Sequence, residues 1–219
     1  MLQPMPADNF EELRIDYGDV ALRRADLPAD PVALFRRWLD EATTAGVREP
    51  NGMALATCDE AGQPHCRVVL LKQLDAHGFG FFTNKSSDKG RQLQANAKAA
   101  ATFWWVAPRA RQVRVEGVVA ELPEADSEAY FRSRPRRAQL CSAASPQSRR
   151  VASREALEGL VSDLEVASAD IEVHRPVHWG GYSLQPTSVE FWQGRDGRLH
   201  DRFRYQREGD DWIVERLAP

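Results

Sequence analysis

Arg198, His200 and Arg202 recur at every second residue in the stretch Arg198-Leu199-His200-Asp201-Arg202-Phe203. In an extended chain that period sends all three to one face, and Leu199 and Asp201 to the other. Two guanidiniums and an imidazole, with Trp192 just upstream in Glu190-Phe191-Trp192-Gln193-Gly194, suit an anionic, planar ligand. A solvated cationic strand face is the plainer alternative.

Other cations are placed for similar work. Arg67-Val68-Val69-Leu70-Leu71-Lys72 is an apolar run with a cation at each end, and their parity sends Arg67 and Lys72 to opposite faces. They could hold two ligand groups, face a second subunit, or be ordinary strand-end cations. Thr83-Asn84-Lys85-Ser86-Ser87-Asp88-Lys89 lies where a strand gives way to a helix, and free backbone N–H groups there favour an anion. Lys89 adds charge; Asp88 has the opposite sign. Tyr130 and Arg134 are four apart and share a helix face, where a phenol and a guanidinium can grip a phosphate. Arg132, Arg136, Arg137, Arg149 and Arg150 surround them and read equally well as a solvated basic surface. No nucleophile elbow, zinc-protease signature, Gly-rich phosphate loop or carboxylate dyad appears. Such an inventory, rich in cations and aromatics and poor in nucleophiles, suits a phosphate-bearing cofactor whose own atoms do the chemistry.

The elements that must position these residues follow from periodicity. Asp30-Pro31 is an N-cap and a first-turn proline, and Val32, Leu34, Phe35, Trp38, Leu39 and Ala42 follow at helical spacing, which predicts a helix over 31–45. Strands are expected over 53–58, 65–73, 79–83, 99–106 and 112–122, joined by turns too short for parallel crossovers. Ser86-Ser87 caps a short helix running toward Asn96. Helices over 123–133 and 153–166 flank a basic, irregular stretch at 134–150, and strands over 179–184, 188–193, 198–207 and 212–217 close the chain. The reading is α+β, with an antiparallel barrel core over 31–219 behind a flexible N-terminal segment over 1–30.

Composition sets the class. The chain has 219 residues, 42% of them hydrophobic and 28% charged, with a net charge of -3. That balance argues against a general nucleic-acid binder, and no apolar run is long enough to span a bilayer. Cys58, Cys66 and Cys141 are odd in number and not in metal-binding spacing. They read as reduced thiols in a cytoplasmic protein.

The chain resembles the bacterial pyridoxamine (pyridoxine) 5'-phosphate oxidases from about Arg14 to Pro219. The resemblance is carried by Leu22 to Pro31, Arg67 to Lys72, Phe82-Thr83-Asn84, Tyr130 to Pro135, Gln147-Ser148, Trp179-Gly180-Gly181, Glu190 to Gly194, Arg198 to Phe203 and the ending Glu215 to Pro219. It implies a split β-barrel homodimer with FMN in clefts at the subunit interface. By that resemblance Arg67 and Lys89 hold the FMN phosphate. Val68, Val69, Leu70, Leu71, Lys72, Phe82, Thr83 and Gln112 line the flavin from one subunit, and Gln147, Ser148, Trp192 and Arg202 complete its site, partly from the other subunit. Lys72, Tyr130 and Arg134 bind the substrate phosphate. Arg198 and His200 cover the pyridine ring, and Arg14 and Tyr17 form a lid.

The implied reaction oxidises C4' of pyridoxamine or pyridoxine 5'-phosphate, with O2 as acceptor and hydrogen peroxide as by-product. A related flavin oxidase of another aromatic metabolite, as in phenazine pathways, and a non-catalytic carrier of FMN or pyridoxal phosphate are the alternatives. Three departures bear on affinity. Asp88 stands where the family often has an arginine for the FMN phosphate, which weakens binding unless Lys85 or Arg91 compensates. Ala138 stands where a serine often helps hold the substrate phosphate, and the loop 140–146 is also unlike the usual one.

Overall fold

The computed structural model describes residues 15–75 and 78–219. Among the described residues, nine strands form a single antiparallel sheet in the order β2-β1-β5-β6-β7-β4-β3, with β8 and β9 added beside β7. The strands are β1 (Gly52–Cys58), β2 (Pro64–Leu70), β3 (Gln73–Asp75), β4 (Gly78–Asn84), β5 (Lys98–Trp105), β6 (Arg111–Glu121), β7 (Trp179–Gln193), β8 (Asp201–Glu208) and β9 (Asp211–Leu217). The sheet curls until β2 approaches β4, giving the expected antiparallel half-barrel. Five α-helices accompany it among the described residues: α1 (Pro31–Thr44), α2 (Asp88–Ala95), α3 (Glu124–Ser133), α4 (Arg136–Ala144) and α5 (Arg154–Ala167).

Helix α1 plugs the barrel because its apolar stripe has nowhere else to go. Asp30 caps it by accepting from the Val32 N–H, and Leu34, Phe35, Trp38 and Ala42 are buried. Phe35 packs edge-on against Phe79 (5.0 Å) and Phe103 (4.8 Å), and Trp38 against Phe191 (5.2 Å). These T-shaped contacts add to the burial energy of each ring. A second, smaller core joins Phe131 of α3, Leu140 of α4, Val161 of α5, Val173 and Trp179. It anchors the α3–α5 layer on the start of β7. None of the helices among the described residues is long and apolar enough to cross a membrane.

Four expectations change. The strand expected over 65–73 ends at Leu70, and Gln73 instead opens β3, which pairs with β4. The stretch 134–150 is not wholly irregular, because 136–144 is helical. Pro135 ends one helix and starts the next, a role that proline's fixed φ and missing N–H allow. The strands expected over 179–184 and 188–193 are one strand, β7, whose pairing with β6 shifts between Glu116 and Gly117. A Cβ on Gly117 would lie 2.0 Å from the Gln185 carbonyl oxygen, so only glycine lets β7 bulge there. Finally, residues 196–198 form a tight turn, with Gly197 (φ 63) and Arg198 (φ 60) left-handed. The strand starts only at Asp201, so Arg198, His200 and Arg202 do not line one strand face.

Candidate active site

The expected phosphate-binding residues converge. A cavity of about 530 Å³ is lined by Arg67, Val68, Val69, Leu70 and Lys72 from β2 and its exit, and by Phe82, Thr83 and Asn84 from the end of β4. Lys89 of α2, Tyr130 of α3, Arg134, and Ala138, Cys141 and Ser142 of α4 also line it, as do Ser145, Gln147 and Trp179. The parity that sent Arg67 and Lys72 apart does not separate them here. Strand β2 is the sheet edge and ends at Leu70, so the cavity wraps around it and meets both cations. Leu71 instead faces the core.

Three of the four cations, Arg67, Lys89 and Arg134, are held by neutral partners, while Lys72 is exposed. Arg67 donates from Nη1 to the Leu55 carbonyl (3.1 Å) and Thr57 Oγ1 (2.6 Å), and from Nη2 to Gln92 Oε1 (3.0 Å). Lys89 Nζ lies 3.2 Å from both Thr83 Oγ1 and Gln147 Oε1. Arg134 Nη1 donates to Ser142 Oγ (2.9 Å), and its guanidinium lies 5.0 Å from the Trp179 ring centre. Tyr130 stacks on Phe82 at 4.1 Å, and Phe82 on Trp179 at 5.5 Å. Among the described residues, Arg67, Lys72, Lys89 and Arg134 form no ion pair with a carboxylate. Burial pushes the Arg67, Lys89 and Arg134 pKa values down, and the Arg67 charge lowers Lys89 further. Half-buried cations without carboxylates make a site that an anion completes.

Asp88 pairs with Arg91 across one turn of α2, while Lys85 is engaged elsewhere, with Glu121. The Asp88 N–H donates to Ser148 Oγ (3.2 Å), so Ser148 docks its loop on the first turn of α2 rather than lining the cavity.

The remaining expected residues lie elsewhere in the chain. Tyr17, Arg198 and His200 line a second cavity of about 670 Å³ with Ile15, Asp16, Arg195, Asp196 and Gly197, and no lining residue is shared with the first. Tyr17 packs edge-on against Trp192 (5.8 Å) and His200 (5.7 Å), and the Trp192 and His200 ring centres are 4.6 Å apart. A Cβ on Gly194 would fall 2.7 Å from the Tyr17 ring, so glycine there admits the ring. The Arg195 backbone N–H donates to His200 Nδ1 (3.1 Å). Gln112, Trp192 and Arg202 are cross-strand neighbours on β6, β7 and β8, in line with half-exposed Trp104 of β5. Arg202 is held by Glu190 (2.8 Å) and the Ala218 carbonyl (2.7 Å). Arg14 lies outside the described residues.

The cavity also contains residues that the sequence reading did not assign to it: Trp179, Asn84, Cys141, Ser142 and Ser145. For Trp179 a signal existed in Gly180-Gly181. A Cβ on Gly181 would sit 2.7 Å from the Phe82 ring, so the glycine allows the aromatic stack to close. For the α4 residues the signal was lost with the helix itself.

Comparison with known proteins gives a single direction. Residues 39–166 match a family described as pyridoxamine 5'-phosphate oxidase, and residues 179–219 a pyridoxine 5'-phosphate oxidase C-terminal dimerisation region. The chain is 51% identical over 210 residues to the pyridoxine/pyridoxamine 5'-phosphate oxidase of Pseudomonas syringae pv. tomato, covering 95% of this chain and 97% of that one. It is 47% identical to the corresponding protein of a Cyanothece species, covering 96% and 99%. Among solved structures, PhzG of Burkholderia lata in complex with tetrahydrophenazine-1-carboxylic acid superposes with a TM-score of 0.86 at 34% identity, covering 93% and 100%. An FMN-binding protein of Nostoc punctiforme shares the fold, with a TM-score of 0.71 at 18% identity, covering 88% and 100%.

Proposed function

The chain belongs to the pyridoxamine 5'-phosphate oxidase family, and from that premise we propose that it oxidises pyridoxamine and pyridoxine 5'-phosphates at C4' to pyridoxal 5'-phosphate. The acceptor is O2, the by-products are hydrogen peroxide and, from the amine, ammonia, and the role is in vitamin B6 biosynthesis or salvage. The observation that carries this reading is the set of four cations around one cavity, none paired with a carboxylate among the described residues. They split into two pairs with different surroundings, which suits a site for two phosphates, one on a cofactor and one on a substrate.

FMN fits the first pair. Arg67 and Lys89 would hold its phosphate with the Thr83 hydroxyl. The edge of β2 offers open backbone N–H and C=O groups to a flat, hydrogen-bonding ring, and Gln147 offers its amide. FMN held there would supply the two-electron acceptor for the C4' hydride, with O2 as the final acceptor. The protein's own part is placement. Lys72, Tyr130 and Arg134 would bind the substrate phosphate. Stacking on Phe82 holds Tyr130, and Ser142 and Trp179 hold Arg134, so little side-chain freedom is lost when the ligand binds. Arg198 and His200 would fix the pyridine ring, which makes the reaction effectively intramolecular.

A homodimer accounts for the two separate cavities. The cleft of one subunit would receive Arg198, His200, Trp192 and Arg202 from the other. Gln112 would go with them rather than with β2, because it is the cross-strand neighbour of Trp192 and does not line the first cavity. Support comes from the match of residues 179–219 to a dimerisation region and from the exposed Val68 and Trp104 on the outward sheet face. The phenazine-type alternative has less support, because a substrate without a phosphate leaves Lys72 and Arg134 without a partner.

The experiment is a mixed dimer. Lys72→Met and His200→Gln are each inactive alone. Refolded together in equal amounts, they recover about a quarter of wild-type turnover if each site draws one residue from each subunit. No recovery, with mixed dimers demonstrated by differential tagging, rejects the shared site. Turnover of neither phosphate by FMN-loaded wild type rejects the activity.

A further inference from the structure

Asp201 follows His200 in sequence and begins β8, and its buried carboxylate ties three segments together. Oδ2 accepts from the Leu22 N–H (2.9 Å) and from Arg195 Nη1 (3.3 Å), and Oδ1 from Arg216 Nη1 (2.5 Å). Arg195 also pairs with Asp19, and the Asp196 N–H donates to the Gly18 carbonyl (3.2 Å). The segment bearing Tyr17, the turn at 195–199 and the C-terminal strand β9 therefore meet at one carboxylate. Burial works against that carboxylate, yet the hydrogen bonds from Arg216, Leu22 and Arg195 outweigh it and hold its pKa below the usual range.

The consequence falls on His200. A backbone N–H can only donate, so the bond from Arg195 N to His200 Nδ1 requires Nδ1 to be unprotonated. The neutral ring then carries its proton on Nε2, and that atom is a donor. The bond closes the loop from Arg195 to His200, and both ends of that loop are tied to Asp201: one by the Arg195 side chain, the other by the chain itself. The turn between them holds Arg198 left-handed, a conformation that costs about 1 kcal/mol or more for a non-glycine residue and persists only where its surroundings impose it.

We propose that Asp201 is a positioning residue that, through Arg195, holds His200 in the Nε2–H tautomer, so that His200 meets the substrate as a hydrogen-bond donor and not as a proton acceptor. The contribution to turnover rests on the reading above that His200 faces the substrate ring. The effect on the imidazole does not.

The test uses the full chain with 15N-labelled histidine, loaded with FMN, at a pH about two units above the ordinary histidine value. His200→Gln identifies the His200 signals among the five histidines. In wild type, His200 is expected to show an unprotonated Nδ1 and a protonated Nε2. In Asp201→Asn, which can still accept from Leu22, and in Arg195→Met, which keeps the backbone N–H, the two nitrogens move toward averaged values. In both variants kcat/KM falls about tenfold to a hundredfold.

A protonated Nδ1 in wild type, or an unchanged tautomer in the folded variants, overturns the proposal. If Asp201→Asn does not fold, Arg195→Met decides by the same criterion. A tautomer shift with unchanged kcat/KM upholds the action on the ring and instead overturns the placement of His200 against the substrate.

Discussion

Replacing Lys89 by methionine separates a binding role from a structural one, because the two predict opposite signs. Lys89 is half-buried, its neighbours Thr83 and Gln147 are already hydrogen-bonded to each other (3.1 Å), and it has no carboxylate partner among the described residues. In the FMN-free protein its charge is a cost, with Arg67 adding repulsion, so Lys89→Met leaves the melting temperature unchanged or raises it. In the FMN complex the same change removes one charge-assisted hydrogen bond, worth about 1.5–3 kcal/mol. That corresponds to a rise of about tenfold to 150-fold in the Kd for FMN. Flavin fluorescence quenching measures the affinity, and calorimetry of the FMN-free protein measures the stability. An unchanged Kd, or a destabilised FMN-free protein, would refute the assignment of Lys89 to an anion.

Further outcomes follow from the same geometry. Lysine at 134 keeps the charge but loses the planar fork, the Ser142 bond and the stack on Trp179, so Arg134→Lys raises KM for either substrate about tenfold while FMN affinity holds. Equal losses in both would merge the two phosphate sites. In Gly194→Ala the new methyl group meets the Tyr17 ring at 2.7 Å and displaces it, and kcat/KM falls about tenfold with an unchanged circular dichroism spectrum. Because burial lowers the Lys89 pKa, its cationic form is complete below that lowered value and is lost as pH rises through it. FMN affinity therefore declines on the alkaline side at a pH below the ordinary lysine range, and Lys89→Arg moves the decline upward; fluorescence titration across pH reads both.

Much of this was legible from residue patterns because the signals were local. Asp30-Pro31 and the stripe from Val32 to Ala42 specify α1 nearly to its ends, and Ser87 caps α2 as its position suggests. The site was legible as chemistry before it was legible as space: Arg67, Lys72, Lys89 and Arg134 were evident as cations, but their meeting depends on β2 lying at the sheet edge, which is a tertiary fact. Helix α4 was hidden by Pro135, a residue that can start a helix as well as stop one. The alternation Arg198, His200, Arg202 misled because a period of two says nothing when the backbone turns left-handed at Gly197 and Arg198. Trp179 carried no polar signal of its own, and only the neighbouring Gly181, which lets the aromatic stack close, marked its place.

The central claim is tested most directly without oxygen. FMN-loaded protein is mixed anaerobically with pyridoxine 5'-phosphate, then with pyridoxamine 5'-phosphate, and the flavin absorbance is followed before and after O2 is admitted. The account predicts bleaching by each substrate, recovery on oxygenation and formation of pyridoxal 5'-phosphate. A bound flavin that neither substrate bleaches would contradict it.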